Sequence, residues 1–397
     1  MGLYDDALAL APELSELRHW LHREPEIGLD LPRTQAKVLA ALEGLPVEIT
    51  LGRALSSVTA VLRGAHPGRT VLLRGDMDAL PVTERTGLPY ASEVDGAMHA
   101  CGHDLHTTML AGAARLLCAR RGDLTGNVIF MFQPGEEGCA GAKHMIEEGV
   151  LDAAGERPAA AYALHVMSAE LPLGVITSRP GPVLAAADKL EVTVHGRGGH
   201  AATPHHAADP IPAACEMVTA LQTFATRRFD VFDPVVITVG SFHAGTADNI
   251  IPDDARFLAT IRSFSAEARA RVRDGSARLI REIAEAHGLT VTTDYLDGYP
   301  VTMADQSEAA FAQHAVAALF GRERFDPQKF PMTGSEDFSF VLERVPGAFM
   351  FVGACPPDRV PATAPFNHSA EAVFDDAVLS DGTALYAELA LRRLTAS

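Results

Sequence analysis

No stretch of this 397-residue sequence approaches the ~18 consecutive apolar residues that a membrane-spanning helix needs, so a transmembrane protein is not expected. Positive charge is also scarce. Lys and Arg number 33 against 51 Asp and Glu, for a formal charge of −18, and the cations are scattered rather than clustered. That pattern lacks the electrostatic footprint of a nucleic-acid or anionic-lipid binder. Only five cysteines occur: Cys101, Cys118, Cys139, Cys215 and Cys355. An odd, widely spaced set in a long chain is not a disulfide framework and fits a reducing compartment. The opening MGLYDDALALAPELSELRHW is acidic and amphipathic, unlike a secretory signal, and Asp6 stands where myristoylation requires Ser or Thr. There is no G-x-x-x-x-G-K-[ST] loop and no G-x-S-x-G elbow, so kinase and serine-hydrolase chemistry lack a sequence basis. Internal repeats and low-complexity segments are absent as well. The expectation is a soluble, cytoplasmic protein with neither nucleic acid nor membrane as partner.

The length suits two domains, and 47% hydrophobic residues suffice for sizeable cores. Helical spacing of apolar residues marks 12–22, 34–42 and 107–117. Between them lie short apolar runs at 58–62, 71–73, 128–132 and 160–165. Runs that do not alternate, separated by helical patterns, predict an α/β fold with a central, mostly parallel sheet flanked by helices. The pattern changes near Pro182. KLEVTVH (189–195), 235–240, ARFLATIRS (255–263) and 290–295 read as strands, most of them alternating, with helices at 209–226 and 266–287. Four half-exposed strands and two helices predict an α+β, ferredoxin-like unit. The helical apolar pattern resumes at 309–320, and a strand follows at 348–352. The expected organisation is a catalytic domain formed by 1–182 and 301–397, with an inserted satellite domain at 183–300.

Titratable residues gather where these strands end. MHACGHDLHT (98–107) packs Cys101, His103, Asp104 and His106 before a helix. Cys-x-His presents a thiolate and an imidazole that can converge on a metal from one turn. NVIFMFQPGEEG ends a strand in Glu136 and Glu137. In open α/β sheets, ligands collect at the carboxyl ends of strands. Two adjacent carboxylates invite a division of labour, one held by metal and one free to move protons. AYALHVM ends in His165, RGDMDALP places Asp76 and Asp78 after another strand, and PFNHSAE puts His368 in a polar turn. Each alone is compatible with a structural role; four strand ends or turns bearing metal-type ligands point to a site.

Taken together, HREPEIG (22–28), RGDMDALP (74–81), MHACGHDLHT (98–107), QPGEEG (133–138), ALHV (163–166), GRGGHAATPH (196–205), DNIIP (248–252), GSEDFSF (334–340) and NHSAE (367–371) resemble the amidohydrolase branch of the co-catalytic metallopeptidase superfamily. They span nearly the whole chain, in order. The resemblance implies that Cys101, His103, Glu137, His165 and His368 hold two divalent cations, with the Cys101 thiolate bridging. Mn2+ or Zn2+ is favoured, with Co2+ and Ni2+ as alternatives. It implies Glu136 as the proton shuttle, Asp78 as a residue orienting a ligand, and His200 as an oxyanion donor reaching across a homodimer formed by the inserted domain. Asn249 and Arg262 are implied as contacts to the substrate carboxylate, a task that suits a guanidinium fork. The expected activity is hydrolysis of the amide bond of N-acyl amino acids.

GRGGHA loosely fits a dinucleotide fingerprint, but that motif should open a helix directly, and Thr203-Pro204-His205-His206 intervenes. A dipeptidase or carboxypeptidase of the same superfamily is the nearest alternative. Cys-Gly-His-Asp favours the amidohydrolase branch, because the peptidase branches usually bridge their metals with aspartate. A non-catalytic metal-binding assembly protein is the remote alternative, and such a protein has no need of Glu136.

Overall fold

The computed structural model describes residues 2–395. It divides into two compact units. The first runs to Val183 and takes in Met303–Lys329 and the chain from Asp337 onward; the second comprises Leu184–Thr302 and Phe330–Glu336. The strands of the two large sheets, in chain order, are β1 (Val47–Leu51), β2 (Val58–Arg63), β3 (His66–Asp76), β4 (Thr125–Gln133), β5 (Ala160–Met167), β6 (Ile176–Thr177), β7 (Ala186–His195), β8 (Val235–Ala244), β9 (Asp254–Ser263), β10 (Thr290–Tyr299) and β11 (Gly347–Gly353). The main helices are α1 (Ala11–Arg23), α2 (Pro32–Ala41), α3 (His103–Ala119), α4 (Pro210–Arg228), α5 (Ala266–Ala286), α6 (Gln306–Phe320) and α7 (Val378–Thr395).

The first unit holds a seven-stranded sheet in the order β1-β2-β4-β3-β5-β11-β6. Its centre, β4-β3-β5-β11, is parallel, whereas β1, β2 and β6 pair antiparallel. The parallel strands are the unalternated apolar runs. Val71, Leu73, Val128, Phe130, Tyr162, Leu164, Met350 and Val352 are buried in one core with Leu105, Met109 and Leu385 from the covering helices. Parallel pairing brings Asp76 level with Gln133 and Arg74 level with Ala163, so β3, β4 and β5 end on the same edge. Side chains just past those ends are therefore brought together by topology alone.

The second unit is a four-stranded antiparallel sheet in the order β8-β9-β7-β10. With α4 after β7 and α5 after β9, this is ferredoxin-like topology. Alternation decides which face is covered. Leu190, Val192, Val194, Phe257 and Ile261 face Met217, Leu221, Val272 and Ile280 of the two helices. Asp209 caps α4 by accepting from the Ile211 amide, with Pro210 at the first helical position, and Ser265 caps α5 through the Ala268 amide. The GRGGHA segment opens no helix: the strand Gly199–His200 and the short turn Pro204–His206 precede α4. Among the described residues no helix is long and apolar enough to cross a membrane.

Candidate metal centre

The cluster forms where β3, β4 and β5 end. Gly102 takes φ +80, and a Cβ there would lie 2.2 Å from Val166 Cγ2. Only glycine allows the Cys101–His103 turn to press against β5. His103 then starts α3 fully buried, and Cys101 Sγ sits 3.4 Å from His165 Nε2. His165 Nδ1 donates to the Val166 carbonyl at 2.9 Å, which leaves the Nε2 lone pair facing the sulfur. Asp78 sets the glutamate turn. Its carboxylate accepts from the amides of both Glu136 and Glu137, at 3.0 Å each. His368 holds the uncommon φ of +73, and its amide donates to the Ala100 carbonyl at 2.8 Å.

Potential ligand atoms meet in overlapping triples within 4.8 Å: Cys101–His103–His165, Cys101–Glu137–His368 and His103–Glu136–Glu137. Cys101 belongs to the first two. The fit to a cation is best tested by what these atoms lack. Both nitrogens of buried His103 are without a hydrogen bond, although each lies 3.4 Å from an aspartate oxygen, of Asp78 or Asp76. Glu137 Oε1 is likewise buried and unbonded, close to His368 Nε2 at 3.0 Å but not aligned for a hydrogen bond. Buried polar atoms without partners are costly, and here they converge on one another. The neighbouring Cys101 sulfur and Glu137 carboxylate, only partly opposed by burial, raise His368 to about 10. The same anionic surroundings would draw in a cation. Thiolate, imidazole and carboxylate donors of this kind suit divalent transition metals.

A fourth triple, Asp76–His103–His106, looks similar but differs in its bonding. His106 Nδ1 donates to Asp76 at 2.6 Å, and Nε2 accepts from the Val166 amide at 2.8 Å. Both nitrogens are engaged, so His106 supports the end of β5 rather than offering a ligand. Behind it, buried Arg74 binds Gln133, Asp76 and Asp337. Asp104, next to His103, accepts from Arg18 and His22 at 2.8 Å each, tying the HREPEIG motif to α3. Sequence reasoning gave no role to Arg18, His22, Gln133 or Asn367; the signal for His22, Gln133 and Asn367 was their place inside motifs already noted.

His99 lies beside this network, 1% exposed, with neither ring nitrogen hydrogen-bonded. Burial pushes its imidazole down to about 3. An unfolded histidine titrates near ~6.5, so folding keeps His99 neutral and contributes full stability above that pH. The contribution is lost as pH falls from ~6.5 toward 3. In metal-depleted protein, the melting temperature should fall more steeply below pH ~6.5 in wild type than in His99→Phe. Equal slopes would count against this assignment.

The remaining candidates lie in the second unit. His200 pairs with Ile250 across a two-residue ladder, and its Nδ1 accepts from the Ala202 amide at 3.1 Å. The Ala201 amide donates to the Asn249 carbonyl at 3.1 Å, so His200 and Asn249 line one open groove of about 750 Å³. Arg262 is apart from it, at the far end of β9. Its Nη1 is buried without a hydrogen bond, and burial lowers its pKa.

Fold and cluster together describe a metal-binding hydrolase. Peptidase family M20/M25/M40 matches residues 72–392, and the chain belongs to that family. It is an amidohydrolase by this membership and by its relatives. It is 34% identical to the hippurate hydrolase of Campylobacter jejuni, over 99% of this chain and 100% of that one. It is 35% identical to thermostable carboxypeptidase 1 of Saccharolobus solfataricus, covering 98% of each. A solved Bacillus subtilis structure, a dinuclear metal binding peptidase from the M20 family, superposes with a TM-score of 0.83 at 32% identity, covering 97% of this chain and 99% of that one.

Proposed function

We propose that this enzyme hydrolyses the amide bond of N-acyl amino acids, with Cys101, His103, Glu137, His165 and His368 holding two divalent cations and Glu136 moving the proton. The observation that carries this reading is the pair of triples sharing Cys101, with unbonded lone pairs on His103 and Glu137. When bound, two divalent cations supply Lewis acidity and an acidified water. The surroundings of the two glutamates support the division between them. Glu137 faces Cys101 and His368, whereas Glu136, 7% exposed, stands outside both triples that share Cys101. Glu136 accepts the proton of the attacking water and delivers it to the departing amine, which is a poor leaving group until protonated. Asp78 accepts from both glutamate amides and so holds the backbone of the turn that carries the two carboxylates.

His200 of the partner subunit is assigned as donor to the developing oxyanion, and Asn249 and Arg262 as contacts to the substrate carboxylate. The unpaired Nη1 of Arg262 supports such a contact. A homodimer through the inserted unit is supported by β8, a ten-residue edge strand without Lys, Arg, Asp, Glu or Pro to block pairing. Mn2+ or Zn2+ is the proposed ion and the cytoplasm the proposed compartment, since a bridging thiolate needs reducing conditions.

The carboxypeptidase relative favours one second reading, cleavage of peptides. One screen separates the two: metal-depleted protein, reconstituted with each divalent ion, assayed on N-acyl amino acids and on a peptide library. Depletion should abolish turnover, and Mn2+ or Zn2+ should restore it on N-acyl amino acids. Restored cleavage of peptides alone would replace this reading with the second.

A further inference from the structure

We infer that Asn367 is the positioning residue of the metal centre: its side-chain amide donates a hydrogen bond to the Cys101 sulfur and ties together the segments carrying Cys101, His165 and His368. The inference rests on the proposed role of Cys101 as a ligand.

The orientation of the amide follows from Ser168. The Ser168 backbone amide can only donate, and it lies 2.9 Å from Asn367 Oδ1; the Ser168 hydroxyl, with one proton, lies 2.9 Å from the Pro365 carbonyl and 3.0 Å from that oxygen. The NH2 group must therefore point the other way. It donates to the Val166 carbonyl at 3.0 Å, and it reaches Cys101 at 3.4 Å from the carbonyl and 3.7 Å from the sulfur. The Val166 carbonyl is shared, because it also accepts from His165 Nδ1 at 2.9 Å. One small side chain thus braces the carbonyl that aims His165, approaches the sulfur that His165 faces, and precedes His368, whose own amide is tied to Ala100. Neither aspartate nor leucine could do this. Aspartate keeps the acceptor for Ser168 but has no N–H, and leucine has neither.

As a metal ligand the Cys101 thiolate would carry negative charge that its surroundings help to balance. An N–H directed at the sulfur draws that charge away and makes the thiolate a weaker donor. Loss of the donor should leave the ligand set intact while changing its electronics, an effect that packing alone does not produce.

The test uses the full chain loaded with Co2+, read by the sulfur-to-cobalt charge-transfer band and by Co2+ affinity. Asn367→Asp should shift the band to lower energy through loss of the N–H, and should weaken Co2+ binding by about 10–100-fold because the Cys101 and His165 segments are no longer tied together. Asn367→Ala brings no negative charge and should shift the band the same way. It also serves as the variant of record if the carboxylate unfolds the turn. Ser168→Ala, which keeps the backbone anchor of the amide, should leave the band in place. The inference is overturned if neither Asn367 variant moves the band, if only the aspartate does, or if Ser168→Ala moves it equally. If wild-type cobalt protein has no such band, Cys101 is not a ligand and the metal-centre reading itself is what fails.

Discussion

Glu136→Gln is expected to keep its divalent metal and to lose turnover by about 10²–10⁴-fold. Glutamine matches glutamate in size, and the Glu136 amide would still donate to Asp78, so the turn that aims Glu137 should survive. What disappears is the ability to take a proton from water and return it to the leaving amine. Elemental analysis for bound metal, alongside kcat on N-acyl amino acids, gives the two halves of the result. Activity near wild type on every hydrolysed substrate would remove Glu136 from the mechanism. Loss of metal together with activity would make it a ligand instead.

The second large effect concerns His200. Replacing one oxyanion donor typically costs about 10²–10³ in kcat, so His200→Ala should be nearly inactive by itself. Mixing it with Glu136→Gln should nevertheless restore turnover if the donor comes from the partner. A random mixture of two inactive dimers makes half heterodimers, each with one complete site, or about a quarter of the wild-type sites. No recovery, with subunit exchange confirmed by mass, would place the action of His200 within its own subunit or deny it altogether.

Much of the architecture was legible because burial leaves a pattern. The runs at 71–73 and 128–132 do not alternate, which a strand covered on both faces requires, and both are central parallel strands. KLEVTVH alternates, and its sheet is covered on one face only. β1 was missed: four of its five residues are exposed, so VEITL carries little burial signal. At the site, the residue types in the motifs picked out the candidate ligands, while the separate roles of Glu136 and Glu137 rested on the resemblance. The turn that carries both is held by Asp78, which reaches it from just past β3 through bonds no spacing rule encodes. The same holds for Arg18 and His22, which meet Asp104 more than 80 positions away, and for His106, whose two engaged nitrogens distinguish it from a ligand only in three dimensions.

The placement of α7 has a consequence for the order in which the molecule is made. Tyr386 donates to the Arg74 carbonyl and accepts from the Leu164 amide, so this last helix braces β3 and β5 from within. Asn367 leaves the ribosome 266 residues after Cys101, a delay of tens of seconds at ~5–20 residues per second. The four strands of the second unit are complete once Tyr299 has been made, long before the first sheet receives β11 and its brace. The nascent chain therefore carries the four strands and two helices of the second unit before Phe330–Glu336 of that unit, or the end of the first sheet, has been made. A chain stalled before His368 would hold Cys101, His103, Glu137 and His165 but lack the last member of their cluster, which is complete only when nearly the whole chain has been made.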